Sequence, residues 1–393
     1  MFDTLNDIDW TNLSHAYGSA EKAPTLLRQL AFGTEGEQED ALNWLWNDYV
    51  HQGSRYDGTY HLIPFLFELL ESNQFPKPHE LINLLLAYGV GEAFLPEVHD
   101  LEWELNTYDS SGNLGSSGKC HLLIRENAPM FLEFLLPTYT LETRLAAGFA
   151  FAHFADTYTH KLTQLIEALA FETNPLQCSN LLRCLAHIGQ LTQTSLAPDS
   201  LLPFLDLAQP KIVRLAAAIA QVNLFPKDGN IKAIETVFQA LTEAWTFEEE
   251  RIQYMWWNEG DMLGYTALVL PQLDSKYRLR AITTLQALVE TIPYMTQAIP
   301  QTLLLLILKT PDQKHNKDIV DLSKVERLAL QLLLKSGQLS QYTFQECLVT
   351  KDISIAQTQP ISKQIFRELI GDESEVNMLH GRSTWFHYLH GQR

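Results

Sequence analysis

Basic residues are in short supply. The 393-residue chain carries 28 Lys and Arg against 47 Asp and Glu, a formal net charge of −19. A surface of that sign repels phosphate backbones and anionic headgroups, so neither nucleic acid nor a membrane surface is an expected partner. Cysteine is sparse as well. Cys120, Cys178, Cys184 and Cys347 are scattered with no C-x-x-C pair, so they read as reduced, mostly buried thiols rather than a disulfide or zinc framework. Long apolar runs are missing: the longest, residues 303–308, falls far short of the roughly 20 residues a membrane helix needs. The start, Met1-Phe2-Asp3-Thr4, has neither a basic nor an apolar signal region, so a cytoplasmic location is expected. Convincing period-two alternation is absent, which leaves little room for sheet.

Catalytic and cofactor signatures also fail. His79-Glu80-Leu81-Ile82-Asn83 begins like a zinc-protease helix, but Asn83 stands where the second histidine must be to close the site. Gly112, Gly115 and Gly118 have no preceding strand and no following G-K-[ST], so they are linker rather than a phosphate cradle. His187 lies three residues past Cys184, yet that stretch reads as a packed helix with an ordinary core thiol. His380, His387 and His390, interleaved with Trp385, Phe386 and Tyr388, read as a polar, aromatic tail rather than a zinc site. No catalytic residue, metal or cofactor is expected.

What the sequence has is helical periodicity in pairs. One member of a pair often carries proline near its start, as in Pro24-Thr25-Leu26-Leu27, Ile63-Pro64-Phe65-Leu66, Ala128-Pro129-Met130-Phe131 and Leu202-Pro203-Phe204-Leu205. Proline costs nothing in a first turn, where its missing N–H has no partner. The other member places an arginine before small residues, as in Thr143-Arg144-Leu145-Ala146-Ala147 and Val213-Arg214-Leu215-Ala216-Ala217, with weaker versions at Arg280 and Arg327. Val213, Ala217, Ala220 and Leu224 share one face, and alanines let helices approach closely. Arg144, Arg183, Arg214 and Arg280 are spaced by 39, 31 and 66 residues, and periods in the thirties to forties mark helical solenoids. Arg144, Arg183 and Arg214 are expected to form a structural ladder with acids of neighbouring units. The expected fold is therefore all-α: one continuous solenoid over 1–393, of about seven or eight helical hairpins.

The proline-led first helix and the V-R-x-A-A second helix resemble HEAT repeats. The stretches Trp10-Thr11-Asn12-Leu13-Ser14-His15-Ala16-Tyr17-Gly18 and Tyr49-Val50-His51-Gln52-Gly53-Ser54-Arg55-Tyr56 resemble a group of bacterial HEAT-repeat proteins of mostly unassigned function. That specific resemblance covers about the first 70 residues, and the general pattern runs from 120 to 337. It supplies no catalytic residues.

Three regions depart from the repeat. Residues 109–118 read as a flexible loop by composition. Residues 243–262 read as an acidic, Trp-rich insertion between repeats, and residues 338–393 as an irregular C-terminal cap. Residues 91–109 hold six acids and no Lys or Arg. Loops that project from a solenoid are often its binding face, and tryptophan is enriched among interface anchors. The expected partner-binding residues are therefore Glu102 and Glu104 in the first acidic stretch. In the second they are Trp245, Glu248, Glu249, Glu250, Trp256 and Trp257. Trp46, His51 and Tyr56, near the second helix of the first pair, join them as residues able to face a concave wall. The expected function is a non-catalytic scaffold for a basic protein, in concrete form an immunity protein that neutralises a nuclease-like toxin. The alternatives are a HEAT-repeat enzyme or enzyme helper such as a bilin lyase, and an adaptor within a larger complex. A DNA glycosylase conflicts with the charge.

Overall fold

A computed structural model describes residues 1–91, 105–108, 111–158, 161–192, 198–226, 230–245, 262–291, 298–308 and 322–335. These residues are mostly helical. Among them, strand is confined to one antiparallel hairpin, β1 (Ser14–His15) and β2 (Gly18–Ser19), with His15 opposite Gly18, and one isolated bridge between Tyr108 and Leu114. The described residues divide into two compact units, up to Ala220 and from Gln221 onward.

The first unit begins with α1 (Ala23–Phe32) and α2 (Glu35–Tyr49). Pro24 occupies the first turn of α1 as its spacing predicts. Thr34 caps α2 in a reciprocal box: its hydroxyl accepts from the Glu37 backbone N–H, and the Glu37 carboxylate accepts from the Thr34 N–H at 2.8 Å. Then come α3 (Asp57–Glu71), α4 (Pro78–Val90), α5 (Ser116–Asn127) and α6 (Leu141–Phe154), followed by α7 (Leu162–Phe171), α8 (Pro175–Thr192) and α9 (Lys211–Leu224), whose residues up to Ala220 belong to this unit. Packing follows the chain. The helix α1 lies on α2 and α3, α3 on α4 and α5, α4 on α5 and α6, and α8 on α6 and α7. The centre of this unit is α6, buried continuously from Leu145 to Phe154. It is apolar on every side, as a helix covered all round must be.

Several expectations need correction. Pro64 is not in a first turn: α3 begins at Asp57, so Pro64 sits mid-helix, where it removes the bond that the Tyr60 carbonyl would accept. Pro129 and Pro203 lie in 3-10 segments, Ala128–Leu135 and Pro198–Leu205, rather than in α-helices. The loop expected at 109–118 is shorter, because α5 starts at Ser116 and the Gly115 N–H donates to the Thr107 carbonyl at 2.8 Å. Arg183 does not share the position of Arg144 and Arg214. Those two are the fourth residues of α6 and α9, whereas Cys178 is fourth in α8 and Arg183 lies five residues further on. Arg183 is fully buried, its guanidinium donating to the Ser179 carbonyl and hydroxyl at 3.4 and 3.3 Å. Arg144 does pair with an acid, Glu172, at the end of α7.

The second unit holds α10 (Ile231–Thr242), α11 (Met262–Ala267), α12 (Arg278–Thr291), α13 (Ala298–Leu308) and α14 (Lys324–Lys335). Here α12 packs on α10, α13 and α14. Arg280 forks onto Glu235 of α10 at 2.6 and 2.8 Å, and Arg278 reaches Glu326 of α14 at 3.5 Å. Arginine–acid pairs between helices are thus present at Arg144, one of the expected positions, and at Arg280. No helix among the described residues is long and apolar enough to cross a membrane.

Candidate functional site

The site is built from the first helical pair and the hairpin in front of it. Gly18 sits at φ 143°, a conformation few side chains adopt, and lets β2 turn back on β1. The hairpin is then pinned on both sides. The Ala16 N–H donates to the Asp48 carbonyl at 2.9 Å, which ties it to the end of α2. The Ser14 N–H and hydroxyl both donate to Asp57 Oδ1, at 2.7 and 2.6 Å, which ties it to the start of α3. Burial pushes the Asp57 carboxyl up, but the hydrogen bonds from Ser14 and Gly58 outweigh it and hold the group below its ordinary value.

Between the hairpin and the α1–α2 pair lies a cleft of about 460 Å³. Its rim is aromatic: Tyr17 from the hairpin turn is 67% exposed and Trp44 of α2 is 46% exposed. Tyr49, at the end of α2, lines it and is itself buried. The Tyr49 hydroxyl is buried with no hydrogen-bond partner among the described residues. Desolvation, reinforced by Asp48, pushes the phenol far above its ordinary range.

The charged groups are Glu21, Lys22 and Asp48, with His15 beside them. Asp48 is buried, and its Oδ2 is 3.7 Å from His15 Nδ1. Burial raises the Asp48 carboxyl above its usual range against the opposing pull of His15, Lys22 and His51. Lys22 places its ammonium 4.9 Å from the Trp44 ring centroid, inside the range of a cation–π contact. The Tyr17 hydroxyl and His51 Nδ1 are 3.2 Å apart, so the exposed tyrosine is fixed rather than loose.

Of the residues expected from sequence, His51 belongs to this surroundings through Tyr17. Trp46 and Tyr56 are half-buried and do not line the cleft. Trp245 lies in the second unit. It is 4% exposed, and its indole N–H donates to the Glu243 carboxylate at 2.7 Å. Glu102, Glu104, Glu248, Glu249, Glu250, Trp256 and Trp257 lie outside the described residues, as does the C-terminal cap at 338–393. Sequence reasoning missed Trp44, Asp48 and Lys22. The signal available was spacing: Trp44 and Asp48 are i and i+4 on α2 and therefore share a face, whereas Trp46 is turned away from both. Among the described residues no three His, Cys, Asp or Glu converge as metal ligands.

No protein-family model, curated protein or solved structure matches this chain. The functional reading therefore stands on the chain's own chemistry.

Proposed function

We propose that this protein is a non-catalytic, cytoplasmic scaffold of HEAT-like helical hairpins, and that its task is to hold a basic protein partner. The observation that carries the reading is the cleft beside β1 and β2, where exposed aromatic rings stand next to carboxylates on a chain with a net charge of −19. Aromatic rings supply contact area at low entropic cost. The surrounding negative field speeds encounter with a basic partner and turns away acidic ones. Packing between sequence neighbours, with arginine–acid pairs between helices, supports the solenoid part of the reading. An immunity protein that covers the basic substrate groove of a nuclease-like toxin is its most concrete form.

The test is affinity capture from the native host with the full-length chain, at low and moderate salt, followed by reconstitution with the purified candidate. A basic protein that binds one to one, more weakly as salt rises, supports the reading. Recovery of no basic protein at low salt, or binding indifferent to salt, contradicts it.

A further inference from the structure

We propose that the cleft between the β1–β2 hairpin and the α1–α2 pair is a receptor for a lysine side chain presented by the partner. The inference rests on the basic-partner reading above and specifies what enters the site.

Three observations converge. The first is that the Trp44 face already holds an ammonium. Lys22 stands over it at 4.9 Å, and Lys22 is an exposed side chain of the same chain. An intramolecular cation on an exposed ring marks a surface that attracts cations and an occupant that can be displaced. The second is the state of Asp48. It is buried, its ion-pair neighbour among the described residues is His15 at 3.7 Å, and burial keeps its carboxyl above the usual range against the pull of His15, Lys22 and His51. A buried carboxylate so situated gains more from an incoming cation than a solvated one does. The third is shape. Tyr17 and Trp44 supply exposed aromatic surface from the hairpin and from α2, and the cleft of about 460 Å³ that they line with the buried Tyr49 accommodates a lysine stem lying against the exposed rings. Such a stem packs on apolar surface while its head seeks charge.

The arrangement also explains the role of Lys22. With the cleft empty, its ammonium partly neutralises the site. When a partner lysine arrives, Lys22 swings into solvent. The internal cation therefore acts as a competitor that sets the affinity and favours partners whose lysine is well presented. A metal ion is a poorer occupant, because His15 and Asp48 are not joined by a third ligand among the described residues.

The experiment is a titration of the full-length protein with N-acetyl-lysine methylamide, with the uncharged N-acetyl-norleucine methylamide as matched control. Binding is read from the Trp44 indole signal in NMR spectra. The lysine probe is expected to shift that signal and the norleucine probe to leave it. Lys22→Met removes the internal competitor and should tighten the lysine probe by about two- to fivefold. Lys232→Met makes the same charge change on the exposed face of α10 and should not. Trp44→Ala and Asp48→Asn should each abolish the response seen in the spectra of the remaining cleft residues. Trp44 and Lys22 are exposed, so their variants keep the fold, which melting curves verify. Equal binding of the norleucine probe overturns the proposal, as does a Lys22→Met variant no tighter than Lys232→Met. If the lysine probe fails while partner capture survives Trp44→Ala, the cleft inference falls and the scaffold reading stands. If the probe binds as described but no basic partner exists, the reverse holds.

Discussion

His187 on α8 is buried, 6.4 Å ring to ring from His153 on α6, and desolvation lowers its pKa to about 4. The native state thus keeps this ring neutral while the unfolded chain protonates it near 6.5. Its contribution to stability is complete above the unfolded value and is lost as pH falls from about 6.5 toward 4. Between pH 7 and pH 5 the loss from this group is about 2 kcal/mol. Burial lowers His61 and His79 in the same direction. Urea midpoints at the two pH values should fall less for His187→Gln than for the parent, and an equal fall would dismiss the assignment. Gly89 is a second residue with a sharp role. A Cβ there would lie 2.4 Å from Phe154 Cζ and 2.8 Å from Cε1. Phe154 is fully buried at the end of α6 and has nowhere to retreat. Gly89→Ala should therefore cost about 1–3 kcal/mol by overpacking, measured by chemical denaturation.

Elements in this chain are joined by a few polar ties as well as by apolar packing. The Arg144–Glu172 pair links α6 to the turn between α7 and α8, with both side chains largely buried. Removing one partner strands the other charge, so Arg144→Met or Glu172→Gln alone should cost about 3–5 kcal/mol. Replacing both with methionine should cost clearly less, and a double-mutant cycle showing simple additivity would refute the coupling. At the hairpin, Asp57→Ala removes the acceptor for both Ser14 donors. Hydrogen exchange at the Ser14 amide should accelerate severalfold while the α6 amides keep their protection. Because Asp57 sits below its ordinary pKa, the same tie should weaken as pH falls through the acid range. Periodicity made the helices legible in the sequence. Arg144, Arg214 and the alanine faces announced α6 and α9, and Pro24 announced α1. Proline misled at Pro64, because α3 gains enough from burying Leu62, Ile63, Phe65 and Leu66 to absorb a lost hydrogen bond. The hairpin at Ser14–Ser19 was illegible by pattern. Two residues per strand carry no alternation, and it exists through Asp48 and Asp57, which are 34 and 43 residues away from Ser14.

At the scale of the whole molecule, charge was readable from composition, but the place where it becomes chemistry was not. Acid-rich stretches drew attention to 91–109 and 243–262, whereas the described cleft is made by residues from two stretches, 15–26 and 44–49, that only folding unites. Trp44 and Asp48 come into play because α2 presents one face to the hairpin, and Lys22 because α1 starts beside it. The central claim is that this acidic, helical chain binds a basic protein through that cleft. Its most direct test is the affinity of the purified partner for the parent chain and for Trp44→Ala, measured side by side by calorimetry across a salt series. The account predicts submicromolar binding that weakens as salt rises and a loss of at least about tenfold in the variant, the scale of an aromatic anchor. Salt-independent binding, or a variant that binds as tightly as the parent, would contradict it.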